Sequence, residues 1–199
     1  MKRENILIWG LIALFAVLMS IPYIIPQTGL LALIGFVPLL CMDRIVTMLG
    51  RKKVWIYHYS AFVLWNAATI WWVWIATPIG PIVATLFSTF WNLVAFMLYH
   101  YVSKRAHKAV AYTLLVASWL MTEYCYISAE VLSFPWLTLG NGFSGDVWAV
   151  QWYEFTGNLG GSLWVLLSNI AIFEAWHNRS RWSVVRAGAV VLLPIMLSL

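Results

Sequence analysis

Charged residues are scarce in this chain. They make up 10% of its 199 residues, against 63% hydrophobic, and the mean hydropathy is +0.83. An ordinary soluble domain carries about 25% charged residues, so that class is excluded. No polar stretch is long enough to fold around a core of its own, and no separate soluble domain is expected. Cysteine is nearly absent: Cys41 and Cys125 are the whole complement, and neither has a Cys or His neighbour at metal-ligand spacing. That excludes a disulfide framework and a cysteine-based metal centre. Internal repeats and low-complexity tracts are also missing, which argues against a transporter built from inverted halves.

Basic residues are missing from every second gap between the apolar runs. Lys2 and Arg3 open the chain; Arg44, Arg51, Lys52 and Lys53 fill one gap, Lys104, Arg105 and Lys108 the next odd one, and Arg179, Arg181 and Arg186 the last. The gaps around Pro26-Gln27, around Pro78–Pro81 and across Val131–Gln151 hold none. Basic loops are retained on the cytoplasmic side of a membrane. The alternation therefore predicts an all-α integral membrane protein, a seven-helix transmembrane bundle over residues 1–199 with its N-terminus inside and its C-terminus outside. The net charge of +5 is used up by this pattern, so lipid headgroups and not nucleic acid are the expected anionic partner. Met1–Ser20 starts like a signal peptide but lacks a small-x-small cleavage site and stays apolar through Ile25, so it is expected to be a retained span.

The expected spans are Asn5–Ile25, Gly29–Met42, Trp55–Thr77, Pro81–Val102, Ala109–Val131, Trp152–Trp176 and Trp182–Leu199. Crossing takes about 20 helical residues. The second span is short unless it continues through Ile45–Leu49, in which case Arg44 must snorkel or pair with Asp43. Trp71, Trp72 and Trp74 at one end, and Trp55, Trp176 and Trp182 at the other, read as aromatic belts. Gly157 and Gly161 read as a close helix-packing pair. His58, His100, His107 and His177 fall near basic span ends and read as unclustered interfacial residues, with no metal site expected.

The non-basic loop 131–151 is unusual. Pro135 and three glycines break helix there, yet Phe134, Trp136, Leu137, Leu139, Phe143, Trp148 and Trp152 are strongly apolar. A fully solvated loop would not expose so many aromatics. It is expected to lie in the headgroup zone or dip into the bilayer with its backbone sheltered by protein, a position suited to gripping acyl chains. Glu123 is the carboxylate at membrane depth, and a functional candidate for that reason; Asn66, Asn92 or a Tyr would be its structural partner. Cys41 and Cys125 lie within apolar spans that suppress the thiolate, so neither is expected to be a nucleophile. The residues alone leave open a non-catalytic polytopic protein, such as a small transporter or an interaction subunit.

Ordered short motifs narrow this. Phe134-Pro135-Trp136-Leu137-x-x-Gly140, Gln151-Trp152-Tyr153-Glu154 and Gly157-x-x-Gly160-Gly161-Ser162 resemble the membrane domain of apolipoprotein N-acyltransferase, a bacterial inner-membrane enzyme. Phe36-Val37-Pro38-Leu39-Leu40, Trp65-Asn66, Trp71-Trp72 and Trp119-x-x-x-Glu123 match in order. An Arg often follows the family's glutamate; here Tyr124-Cys125-Tyr126-Ile127 supplies none.

The resemblance implies acyl transfer from a phospholipid donor to the N-terminal diacylglyceryl-cysteine of a lipoprotein acceptor, through a cysteine thioester and without a cofactor. Its Glu-Lys-Cys triad belongs to a nitrilase-like domain that follows span seven in the family. That domain is expected to be absent from this chain, which ends at Leu199, and to be supplied in cis or in trans. This chain would then hold no catalytic residue. Phe134, Pro135, Trp136, Gly140, Phe143, Trp148, Trp152, Glu154 and Glu123 are the candidates for lipid and substrate docking.

Overall fold

The computed structural model describes residues 2–128 and 134–199, and the regular structure among them is entirely helical. Residues 129–133, where the fifth expected span ends and the loop begins, lie outside the described residues. Helix α1 covers Lys2–Ile24, and Gln27 turns the chain with a left-handed φ of 64°. A 3-10 turn at Gly29–Leu31, α2 (Ala32–Gly35) and α3 (Val37–Met48) then return it to the basic end. Next come α4 (Val54–Ile70), a 3-10 turn at Trp71–Ile75, α5 (Gly80–Ser103) and α6 (Lys108–Ser128). Three further 3-10 turns, Pro135–Leu137, Leu139–Phe143 and Val147–Ala149, lead into α7 (Tyr153–Asn178) and α8 (Arg181–Met196).

Among the described residues, five stretches are long and apolar enough to cross a membrane: Lys2–Ile24, Gly29–Met48, Gly80–Ser103, Lys108–Ser128 and Tyr153–Asn178. The second does not stop at Met42; it continues to Met48, and the exposed Arg44 lies on its outer face. α4, with 17 residues, and α8, with 16, are shorter. The expected third span is helical only to Ile70, beyond which Trp71–Ile75 tightens into a 3-10 turn.

The surface is apolar and the interior aromatic. Phe15, Phe36, Phe62, Trp65 and Trp119 are all buried, and Phe36 packs edge-on against Trp119 with centroids 5.0 Å apart. Edge-to-face pairs of this kind add about 0.5–1.5 kcal/mol each beyond the area they bury. Trp55, Trp71, Trp72, Trp74, Trp176 and Trp182 are exposed near helix ends, where amphipathic rings suit a headgroup layer.

The break between α2 and α3 is satisfied from across the bundle. Helix starts leave N–H groups without intrahelical partners, and burying them unpaired is costly. Asn169 of α7 accepts from Phe36 N at 2.7 Å and from Val37 N at 3.2 Å, and donates to Ala32 O at 2.7 Å. One amide thus closes the gap within the Phe36–Leu40 motif.

Candidate functional site

Loop residues 134–150 fold into the mouth of the bundle and do not lie on it. Leu137, Thr138, Leu139, Gly140, Gly142, Phe143, Asp146 and Ala149 are buried. A buried loop needs a partner for its backbone, and this one finds several. Glu123 Oε1 accepts from Leu139 N at 2.8 Å and from Trp119 Nε1 at 2.9 Å. Gly140 N donates to Ser162 Oγ at 2.9 Å, and the Tyr153 hydroxyl donates to Gly140 O at 3.0 Å. The Tyr23 hydroxyl donates to Thr138 O at 2.9 Å, while Asn158 Nδ2 donates to Thr138 Oγ1 and Asn141 Oδ1. Gly29 N donates to Asp146 Oδ2 at 2.7 Å, tying the far side of the loop to the turn after α1.

Gly140 has no room for a side chain: an added Cβ would lie 1.9 Å from Asn158 Oδ1 and 2.2 Å from Asn158 O. The close approach of loop to helix therefore requires glycine there. Glu123, 3% exposed, lies beneath the loop, and its partners are Trp119 and the loop backbone rather than Asn66. Asn66 Nδ2 donates instead to Thr89 Oγ1 at 2.9 Å.

The remaining candidates divide into a base and a surface. Phe143 is 1% exposed and stacks on Trp164 with centroids 4.9 Å apart, so with Gly140 it holds the loop and offers no face to a ligand. Trp152 is half-buried and packs edge-on against Tyr153 and Trp164. Phe134 is half-buried, while Pro135 and Glu154 are exposed, Glu154 in the first turn of α7. Trp136 (44% exposed) and Trp148 (48%) project from the pinned base. Trp136 meets Trp72 edge-on at 5.5 Å. On the adjoining stretch, a groove of about 530 Å³ is lined by Trp71, Trp74, Ile75, Pro81, Ile82 and Leu86. Such an apolar groove beside exposed aromatics can take a hydrocarbon chain.

Two expectations need correction. Gly157 and Gly161 do not pack helix on helix. Gly157 has φ 65° and ψ −172°, interrupts α7, and has nothing within 4 Å of an added Cβ. Gly161 faces Tyr153 of the same element, whose hydroxyl would lie 1.7 Å from an added Cβ. The histidines are not all separate either: His58 and His100 converge on buried Asp43. Asp43 does not pair with Arg44.

Sequence reasoning also missed Asn158, Ser162, Asp146 and Asn169 as clamps. Only Ser162, within the Gly157–Ser162 motif, carried a signal. The two cysteines are free, Cys41 half-buried on α3 and Cys125 exposed on α6.

Comparison with known proteins bears on the same region. The family model described as "Apolipoprotein N-acyltransferase N-terminal domain" matches residues 13–171. The chain is similar to an apolipoprotein N-acyltransferase of Chlorobaculum tepidum, with 28% identity over 170 residues covering 84% of this chain. It spans about a third of that relative's length, 31%. No solved structure matches it. The matched segment takes in the Phe36–Leu40 break, the Trp65–Trp119–Glu123 column and the whole described loop, and the chain belongs to the apolipoprotein N-acyltransferase family, as its N-terminal domain.

Proposed function

We propose that this chain forms the lipid- and substrate-docking part of a bacterial apolipoprotein N-acyltransferase. On this reading the bundle crosses the inner membrane seven times, with α4 and α8 completing the set and the basic ends in the cytoplasm. The loop end then faces outward. A phospholipid donor lays an acyl chain in the groove between Trp71–Ile75 and Pro81–Leu86. Trp136 and Trp148 form the rim over which donor and diacylglyceryl-lipoprotein acceptor approach, with Phe134, Pro135, Trp152 and Glu154 beside them. The nucleophile belongs to a nitrilase-like domain, in the same polypeptide or as a partner, that docks on this face. Glu123, Gly140 and Phe143 hold the rim rigid.

The observation that carries this reading is the presentation of exposed Trp136 by a loop whose backbone is bonded to three helices, α1, α6 and α7, next to an apolar groove. A rigid support lowers the ordering cost of gripping a flexible chain. Family membership supports this reading over a small transporter or an interaction subunit.

The test is mass spectrometry of lipoprotein N-termini in cells depleted of their own apolipoprotein N-acyltransferase. This chain with a nitrilase-like domain of the family, fused or co-expressed, should restore the third acyl chain, and neither part should do so alone. Trp136→Ala should reduce N-acylation with the protein level unchanged, because the ring is only half-buried. N-acylation by the nitrilase-like domain without this chain, or full activity of Trp136→Ala, would contradict the proposal.

A further inference from the structure

Three helices bring ligating side chains together at the basic end, away from the loop. Asp43 in the middle of α3, His58 near the start of α4 and His100 near the end of α5 are all buried, and one donor atom from each lies within 4.8 Å of the other two. Asp43 Oδ1 is 3.0 Å from His58 Nε2 and 2.5 Å from His100 Nδ1.

The tautomer of His58 is set by its other nitrogen. His58 Nδ1 lies 3.0 Å from Val54 O, and a carbonyl only accepts, so Nδ1 carries the proton. In the neutral ring Nε2 then presents a lone pair, and it presents it to an acceptor, the Asp43 carboxylate. Nε2 and His100 Nδ1 thus face the same carboxylate oxygen, which His100 also meets at hydrogen-bond distance. An imidazole held by Nδ1–H on a backbone carbonyl, with Nε2 turned toward a carboxylate, matches the outer-shell arrangement of a metal-ligating histidine.

The donor set and access point the same way. Two imidazole nitrogens and one carboxylate oxygen suit zinc and its first-row neighbours, whereas magnesium and calcium prefer all-oxygen sites. Three protein ligands leave a position for water. A cavity of about 380 Å³ at the basic end is lined by Arg44, Lys104, Lys108 and Glu174 and touches the cluster at Asp43, the one of the three residues that lines it.

We propose that Asp43, His58 and His100 form a binding site for a divalent transition metal of the zinc class, which clamps α3, α4 and α5 together at the basic end of the bundle. This site is separate from the docking surface and does not depend on acyl transfer.

Cobalt(II) is the probe. The full chain, purified in detergent and stripped with a chelator, should take up one Co²⁺ per molecule with visible ligand-field bands, and Zn²⁺ should displace it. X-ray absorption of the zinc form should show two imidazole nitrogens and oxygen at about 2.0–2.2 Å. His58→Gln and Asp43→Asn should each weaken binding by more than the roughly 10–100-fold that loss of an outer-shell partner costs. His107→Gln and His177→Gln should leave it unchanged. Wild-type protein that retains no stoichiometric metal would overturn the proposal and leave a proton-bridged Asp–His cluster. Binding lost only in the His107 or His177 variants would overturn it equally. Wild-type stoichiometry and absorption decide the matter even where His58→Gln fails to fold.

Discussion

Glu123 shows how a single carboxylate organises the mouth of the bundle. Ionisable groups inside a membrane are costly and persist where they meet specific partners. Here one oxygen receives the Trp119 indole N–H of its own helix and the Leu139 N–H of the loop. Glu123→Ala would leave both donors buried without an acceptor, at about 1–3 kcal/mol for each. Glu123→Gln keeps a carbonyl oxygen at that place and should stay within about 1 kcal/mol of the parent. Unfolding of the two variants in detergent, followed by tryptophan fluorescence, checks the ordering; equal loss in both would mean that the charge matters and the acceptor does not. Glu123 was legible in the sequence, being the carboxylate at membrane depth, but its partners were not. Leu139 contributes a backbone N–H, and no residue type signals that.

At the scale of elements, α7 is the piece whose sequence was most misleading. Its hydropathy announces a spanning helix, and its glycine spacing suggests a contact with a neighbour. Instead Gly157 holds a conformation that only glycine adopts readily, and the helix bends there. The bend lets Tyr153 and Asn158 both reach the loop, the first on Gly140 O and the second on Thr138 and Asn141. Gly157→Ala should therefore destabilise by about 1–3 kcal/mol through backbone strain alone, because no atom stands within 4 Å of the new methyl group. Denaturant unfolding measures this. Unchanged stability would show that α7 is straight there in solution. Spacing patterns report which face a residue occupies; they carry no information about φ.

At the scale of the whole molecule, the apolar runs made the helical class and the order of the helices along the chain legible. Which helices adjoin was not. His58 and His100 come from the third and fourth expected spans and Asp43 from just beyond the second, and only packing shows that the three meet at one point. The loop was legible as sheltered rather than solvated, since its aromatics had to be covered, but not as the source of a backbone N–H for Glu123. Everything proposed about docking requires the Trp136 end to face outward. Labelling with a membrane-impermeant maleimide in intact spheroplasts tests that most directly, in a background with Cys41→Ser and Cys125→Ser. Val147→Cys on the loop and Lys104→Cys at the basic end are both exposed positions. Val147→Cys should label in intact cells, and Lys104→Cys only after lysis. Labelling of Lys104→Cys in intact cells, with Val147→Cys protected until lysis, would put the groove and Trp136 in the cytoplasm and contradict the docking role.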